Sequence, residues 1–215
     1  MDSCSAFFLF STDYYTQVEA IMRLLSVSSG SSPTVDVKCK THALLKGVLL
    51  SLLFALFTGI LSRVRFFLPF TPVPVTGQVF AVLLCGLLLG KVFGPLSQVF
   101  YVGLGLLGFG WFSLFPLVPT GGYLLGFIAA PYVVSSIIDS SATKGFFRTM
   151  AALTAGVVLI NLFGFSFFTA VTGTAIATSF RLTVLPFIPF DLGKAALAAL
   201  IVCPLWKKYR PKTLI

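Results

Sequence analysis

The sequence predicts an all-α membrane protein: a bundle of six transmembrane helices with both termini on the cytoplasmic side. Three observations carry that prediction. Of 215 residues, 57% are hydrophobic and only 10% charged, with a mean hydropathy of +1.02, whereas soluble domains carry roughly 25% charged residues. From residue 43 onward, apolar runs follow one another with little between them except Pro, Gly and single charges. At about 20 residues per crossing, six crossings fill the chain and leave little for a soluble domain. The third observation is where the fifteen Lys and Arg fall. They sit in loops and tails rather than in a basic stripe, so topology explains the formal charge of +9 and no nucleic-acid partner is implied.

In chain order, residues 1–42 lack a membrane signature. The apolar stretch 7–10 is short and Asp2 precedes it, unlike the positive start of a secretory signal. Tyr14, Val18, Ile21, Met22 and Leu25 recur at helical spacing behind a cap at Thr12 or Asp13, which predicts a short amphipathic helix. The Ser/Gly/Pro-rich stretch 26–34 reads as a linker. This region is either a cytoplasmic tail or, if translation starts at Met22, partly never made.

The spans are predicted near 43–62, 75–90, 92–109, 121–138, 150–168 and 187–206, followed by a basic tail at 207–215. The second is short and the turn after it, from Lys91 to Pro95, is tight, which predicts a closely packed antiparallel pair. On this plan the inner side holds Lys38, Lys40, Lys46, Lys91, Lys144, Arg148, Lys207, Lys208, Arg210 and Lys212, and the outer side only Arg63, Arg65 and Arg181. The excess of positive charge marks the cytoplasmic face.

Asp191 and Lys194 stand three residues apart at the outer start of the last span, on one face of any helix that begins there. Ionisable groups within a membrane segment are costly enough to mark a functional site by default. Three prolines within the stretch 69–74 exclude a regular helix and favour extended backbone. That loop is either a stiff lid over a mostly apolar ligand or a rigid connector. Gln78, Tyr101 and Asn161 are polar groups inside spans, each able to bond another helix or a ligand. Tyr123 fits an interfacial anchor or a site wall. Ser51, Ala55 and Gly59 recur every fourth residue as a small-residue ridge, suited to contact within the bundle or to a separate membrane subunit.

Several classes are excluded or weakened. No G-x-x-x-x-G-K-[ST] phosphate loop occurs, and the single histidine, His42, lies before the first span, where it reads as an interfacial polar residue. Cys4, Cys39, Cys85 and Cys203 have neither the pattern of a disulfide framework nor zinc spacing and are read as reduced. No metal, cofactor or enzymatic activity is expected. No ring of charges or carbonyl filter suggests a channel.

Four runs, LPFTPVPVTGQ at 68–78, VLLCGLLLG at 82–90, PTGGYLLGF at 119–127 and PFIPFDLGK at 186–194, resemble in order and spacing the BioY family, the biotin-binding S components of energy-coupling factor (ECF) transporters. The resemblance covers most of 43–206. It implies a six-helix bundle in the bacterial cytoplasmic membrane that captures biotin from outside. Its partners would be one coupling membrane subunit and two ATPases, with solitary or oligomeric operation left open. It places biotin contacts on Asp191, Lys194 and Gln78, and coupling-subunit docking on Ser51, Ala55 and Gly59. Where many relatives carry a glycine-rich segment before PTGGY, this chain has the bulky 111–118. The chemistry of biotin fits: Asp191 can accept from a ureido N–H, and Lys194 can donate to the ureido carbonyl or pair with the carboxylate. Phe70, Tyr101 and Tyr123 supply apolar walls, and Asn161, Thr120, Gly121 and Gly122 complete the expected set. An S component for another vitamin or a biotin precursor, and a membrane assembly protein, are the alternatives.

Overall fold

The computed structural model describes residues 34–108, 117–140 and 145–209. The expected helix from Tyr14 to Leu25, the linker up to residue 33, the bulky stretch 111–116 and the last residues of the basic tail lie outside these. Among the described residues the elements are α1 (Thr34–Leu61), β1 (Arg65–Phe66), β2 (Val75–Thr76), α2 (Gln78–Leu88), α3 (Gly90–Leu106), α4 (Leu117–Asp139), α5 (Phe146–Thr172), α6 (Ile176–Thr183) and α7 (Phe187–Tyr209). Four carry stretches long and apolar enough to cross a membrane: Leu44–Leu61, Thr120–Asp139, Phe146–Thr172 and Phe187–Trp206.

The short helix α2 is the hub. It touches α1, α3, α4, α5 and α7, and these in turn pack in the sequence α1–α3–α4–α5–α7 around it. Its sequence explains the position: after Gln78 every residue is apolar or Gly, and nine of its eleven residues are buried. A helix that is hydrophobic all round belongs inside a bundle. Eleven residues rise only about 16 Å, roughly half a bilayer core. The predicted second span at 75–90 is thus a strand end plus a half-length buried helix.

Other boundaries also differ from expectation. Helix α1 runs back to Thr34, nine positions before the predicted start of the first span. The tight turn falls at Leu89 and Gly90, not at Lys91 to Pro95, because Gly90 takes the left-handed conformation (φ 78°) and α3 begins there, with Pro95 inside it. Close packing of the α2–α3 pair holds: a Cβ on Gly94 would sit 3.2 Å from the Cys85 carbonyl oxygen. Helix α5 has 27 residues, about 40 Å, and ends at Gly173 in the left-handed conformation. Helix α6 was not expected. It buries Ser179 and Thr183 and exposes Ile176 and Phe180, the reverse of a soluble amphipathic helix.

The small-residue ridge of α1 is used within the chain. Ser51, Ala55 and Gly59 are buried, and Ser51 Oγ donates to the Phe93 carbonyl on α3 at 3.0 Å. The ring of Phe93 occupies the space a Cβ on Gly47 would need. The face of α1 turned away from the bundle is instead Leu45, Leu49, Leu53, Leu56 and Ile60, all exposed. A second ridge, Gly122, Gly126 and Ala130 on α4, makes the most extensive helix contact of the fold, against α5. There a Cβ on Gly126 would lie 2.8 Å from the backbone of Ile160. At the other end of α4, Arg148 donates two N–H groups to the Ile137 carbonyl, and Lys91 pairs with Asp139 at 3.5 Å. Cys85 and Cys203 are free and buried.

Candidate functional site

The proline-rich segment folds as a loop between two short antiparallel strands, with Arg65 opposite Thr76 and Phe66 opposite Val75. Pro72, Val73 and Pro74 of this loop form one wall of a cavity of about 120 Å³. The hairpin is fastened on its far side: Thr71 Oγ1 donates to the Leu182 carbonyl of α6 at 2.7 Å. One residue on, the Thr183 carbonyl accepts from the Tyr123 hydroxyl of α4 at 2.6 Å. Successive carbonyls at the end of α6 therefore tie both the hairpin and α4.

Helix α7 supplies the charge. Asp191, 3% exposed, receives Lys194 Nζ on Oδ1 at 2.8 Å. Its Oδ2 receives Asn161 Nδ2 from α5 at 3.3 Å. The Asn161 amide is oriented by its own chemistry, since its carbonyl oxygen turned to a carboxylate would be repelled. The nitrogen also donates to the Val157 carbonyl, while Oδ1 is buried with no hydrogen-bond partner among the described residues. Both carboxylate oxygens are thus held, one by a cation and one by an amide, while Asp191 and Lys194 line the cavity.

On the side of α2, Gln78 is the first helical residue and lines the same cavity. Its Nε2 donates to the Tyr101 hydroxyl at 2.6 Å, and that hydroxyl also bonds Ser62. Tyr101 is wholly buried behind Gln78 rather than in the cavity wall. Asn161 stands in the same relation to Asp191. Two of the predicted site residues therefore orient others.

Thr120 and Tyr123 line the cavity as expected. Gly121 and Gly122 do not: a Cβ on Gly121 would meet the ring of Phe167 at 3.0 Å, and Gly122 lies against Phe163 and Phe167 of α5. They serve the close approach of α4 and α5. Phe70 is 59% exposed and outside the lining, and Phe67 takes the place on the cavity that Phe70 was expected to hold.

Residues the sequence reading missed include Phe127 on α4 and Phe187 on α7, both in the lining. Their signal was available: Thr120, Tyr123 and Phe127 share one helical face, as do Phe187, Asp191 and Lys194. Arg65, also in the lining, had been assigned only to the outer charge count.

Together the fold and site define a multi-pass helical membrane protein with a largely apolar cavity bordered by a buried acid and its half-buried base. Residues 32–211 match the BioY family. The chain is 34% identical over 147 residues to the biotin transporter BioY of Thermotoga maritima, covering 65% of this chain and 85% of that protein. It is 36% identical over 162 residues to a probable biotin transporter BioY of Pyrococcus horikoshii, covering 73% and 93%. Its fold is similar to the crystal structure of the S-component for biotin from an ECF-type ABC transporter, with a TM-score of 0.68, 26% identity, and 76% and 92% of the two chains covered. The chain belongs to the BioY family.

Proposed function

We propose that the protein is the substrate-capture subunit for biotin uptake, binding biotin in the cavity beneath the proline-rich hairpin and delivering it inward with a separate ATP-driven coupling module. The observation that carries this reading is the Asp191–Lys194 pair, buried on α7 yet lining a cavity whose other walls are mainly apolar. Such a pocket, apolar with few placed polar groups, suits a bicyclic vitamin. Asp191 accepts from a ureido N–H, Lys194 and Gln78 donate, and Thr120, Tyr123 and Phe127 form the wall. Asn161 and Tyr101 hold Asp191 and Gln78 in place. At about 120 Å³ the cavity is below the roughly 300 Å³ at which pockets for such ligands begin. The hairpin is the part of the wall suited to move as biotin enters, since Thr71 ties it to α6 through one side-chain hydrogen bond.

The membrane domain is residues 43–206, between a cytoplasmic tail at 1–42 and a basic tail at 207–215. It crosses the bacterial cytoplasmic membrane six times with both ends inside, β2 and α2 together serving as one crossing. One coupling membrane subunit and two ATPases complete the transporter. Ser51, Ala55 and Gly59 are buried within this chain and Ser51 bonds Phe93 of α3, so docking of the coupling subunit on this ridge would require α1 and α3 to part.

A titration of the purified full chain in nanodiscs tests capture: tight binding of biotin, poorly displaced by dethiobiotin, thiamin or riboflavin, is expected. Preference for one of the competitors would reassign the vitamin. Uptake of labelled biotin by cells should rise with the coupling module and be lost in Asp191→Asn.

A further inference from the structure

We infer that Arg65 is the residue that reads the carboxylate of the ligand, and that the ligand enters the cavity with its neutral ring system first and its acidic tail last. This rests on the biotin reading above and assigns a second polar end to the same cavity. The charged groups in the lining are Arg65, Asp191 and Lys194, two positive against one negative. Asp191 and Lys194 are 2.8 Å apart and form a pair with each other, which makes Arg65 the third charged group of the lining and the one on a separate element. The two ends differ in depth. Asp191 and Gln78 are buried, whereas Arg65 and its neighbour Phe67 on the hairpin are exposed, so Arg65 belongs to the solvent side of the cavity.

A ligand with a neutral ring at one end and a carboxylate at the other matches this gradient in one direction only. The deep end offers a carboxylate already held by a cation and an amide, together with the carboxamide of Gln78, which suits a ring bearing N–H donors and a carbonyl. A ligand carboxylate placed there would face that of Asp191, and like charges at short range are repelled. At the mouth, a planar guanidinium can bind a carboxylate through two parallel N–H groups. Arg65 has a contact of its own in this structure, but five N–H donors leave capacity for a second partner. Two more cations, Arg63 beside β1 and Arg181 one residue before the carbonyl that holds Thr71, are exposed near the same hairpin and add to a field that draws in anions. Because Arg65 sits on the hairpin, its bond to the ligand tail would also tie the cover to what it covers.

The experiment compares biotin with its methyl ester, which keeps the ring and chain length but removes the charge. Both are titrated against the full chain in nanodiscs for the natural sequence, Arg65→Gln and Arg65→Lys. The natural chain should prefer the acid by about tenfold, the scale of one charge-assisted pair at a partly wet site. Arg65→Gln should lose that preference, with acid binding weakened about tenfold and ester binding by less than about threefold, and Arg65→Lys should keep part of it. Retained ester binding also reports that the variants are folded. The inference is overturned if Arg65→Gln keeps the acid preference, if it weakens acid and ester equally, or if the natural chain shows no preference. Should the natural chain bind neither compound, biotin capture itself fails, and this inference with it.

Discussion

Two buried amides, Gln98 and Asn161, stand in clusters that look alike by composition and differ in what they border. Gln98 on α3 is fully buried, and the two N–H groups of its Nε2 are shared among Thr58 Oγ1 of α1, Cys85 Sγ of α2 and Ser97 Oγ, at 3.3, 3.1 and 3.1 Å. Asn161 on α5 donates to Asp191. Each leaves its amide oxygen without a hydrogen-bond partner among the described residues. The Gln98 cluster contains no charge and none of its members lines the cavity, so it fastens three helices. The Asn161 cluster holds an ion pair whose two members both face the cavity. Burial of polarity is therefore common to architecture and site. What separates them is an ionised group with access to an enclosed space.

The largest expected effect comes from Lys194→Ala. Removing one partner of a buried pair costs about 3–5 kcal/mol because the remaining charge is stranded. Biotin affinity should fall by at least 100-fold and thermal unfolding in detergent should move down by several degrees. Retention of affinity within a few-fold would reduce the pair to a structural one and erase the contrast with Gln98.

A smaller effect is expected from Thr71→Val, which removes the hydroxyl that ties the hairpin to the Leu182 carbonyl. A single such bond contributes about 1 kcal/mol. Dissociation of labelled biotin, followed by rapid mixing, should quicken about fivefold. An unchanged rate would mean that the hairpin does not limit escape.

Gln98→Met should do least. The hydroxyls it touches retain other acceptors, since Thr58 donates to the Phe54 carbonyl and Ser97 to the Gly94 carbonyl. The change also deletes an unsatisfied oxygen, so stability should shift by no more than about 1 kcal/mol and affinity by less than about twofold. A tenfold loss of affinity would show that the two clusters are coupled through α2.

Much of this was legible in the sequence because the relevant signals are local. Asp191 and Lys194 at a spacing of three must share a helical face, and the prolines at 69–74 must break a helix. Helix α6 was hidden for a physical reason: at eight residues it makes only about two turns, too few for the spacing of Ile176 and Phe180 to stand out from a loop. The ridge at Ser51, Ala55 and Gly59 was legible as a close-approach surface, but its partner was not, because small residues specify distance and not identity.

The helical membrane class, the break at the prolines and the acid–base pair of the last helix are readable from the residues alone. These follow from composition and from spacings within a single element. Only the packing shows that α2 is a buried hub of half-bilayer length, that Ser51 on the α1 ridge bonds α3, and that Gly121 and Gly122 serve α5. It also decided that Asn161 and Tyr101 stand behind the residues they orient, and that Arg65 and Phe67, rather than Phe70, face the cavity. Each of these depends on which faces meet across elements far apart in the chain, and no spacing along one element carries that information.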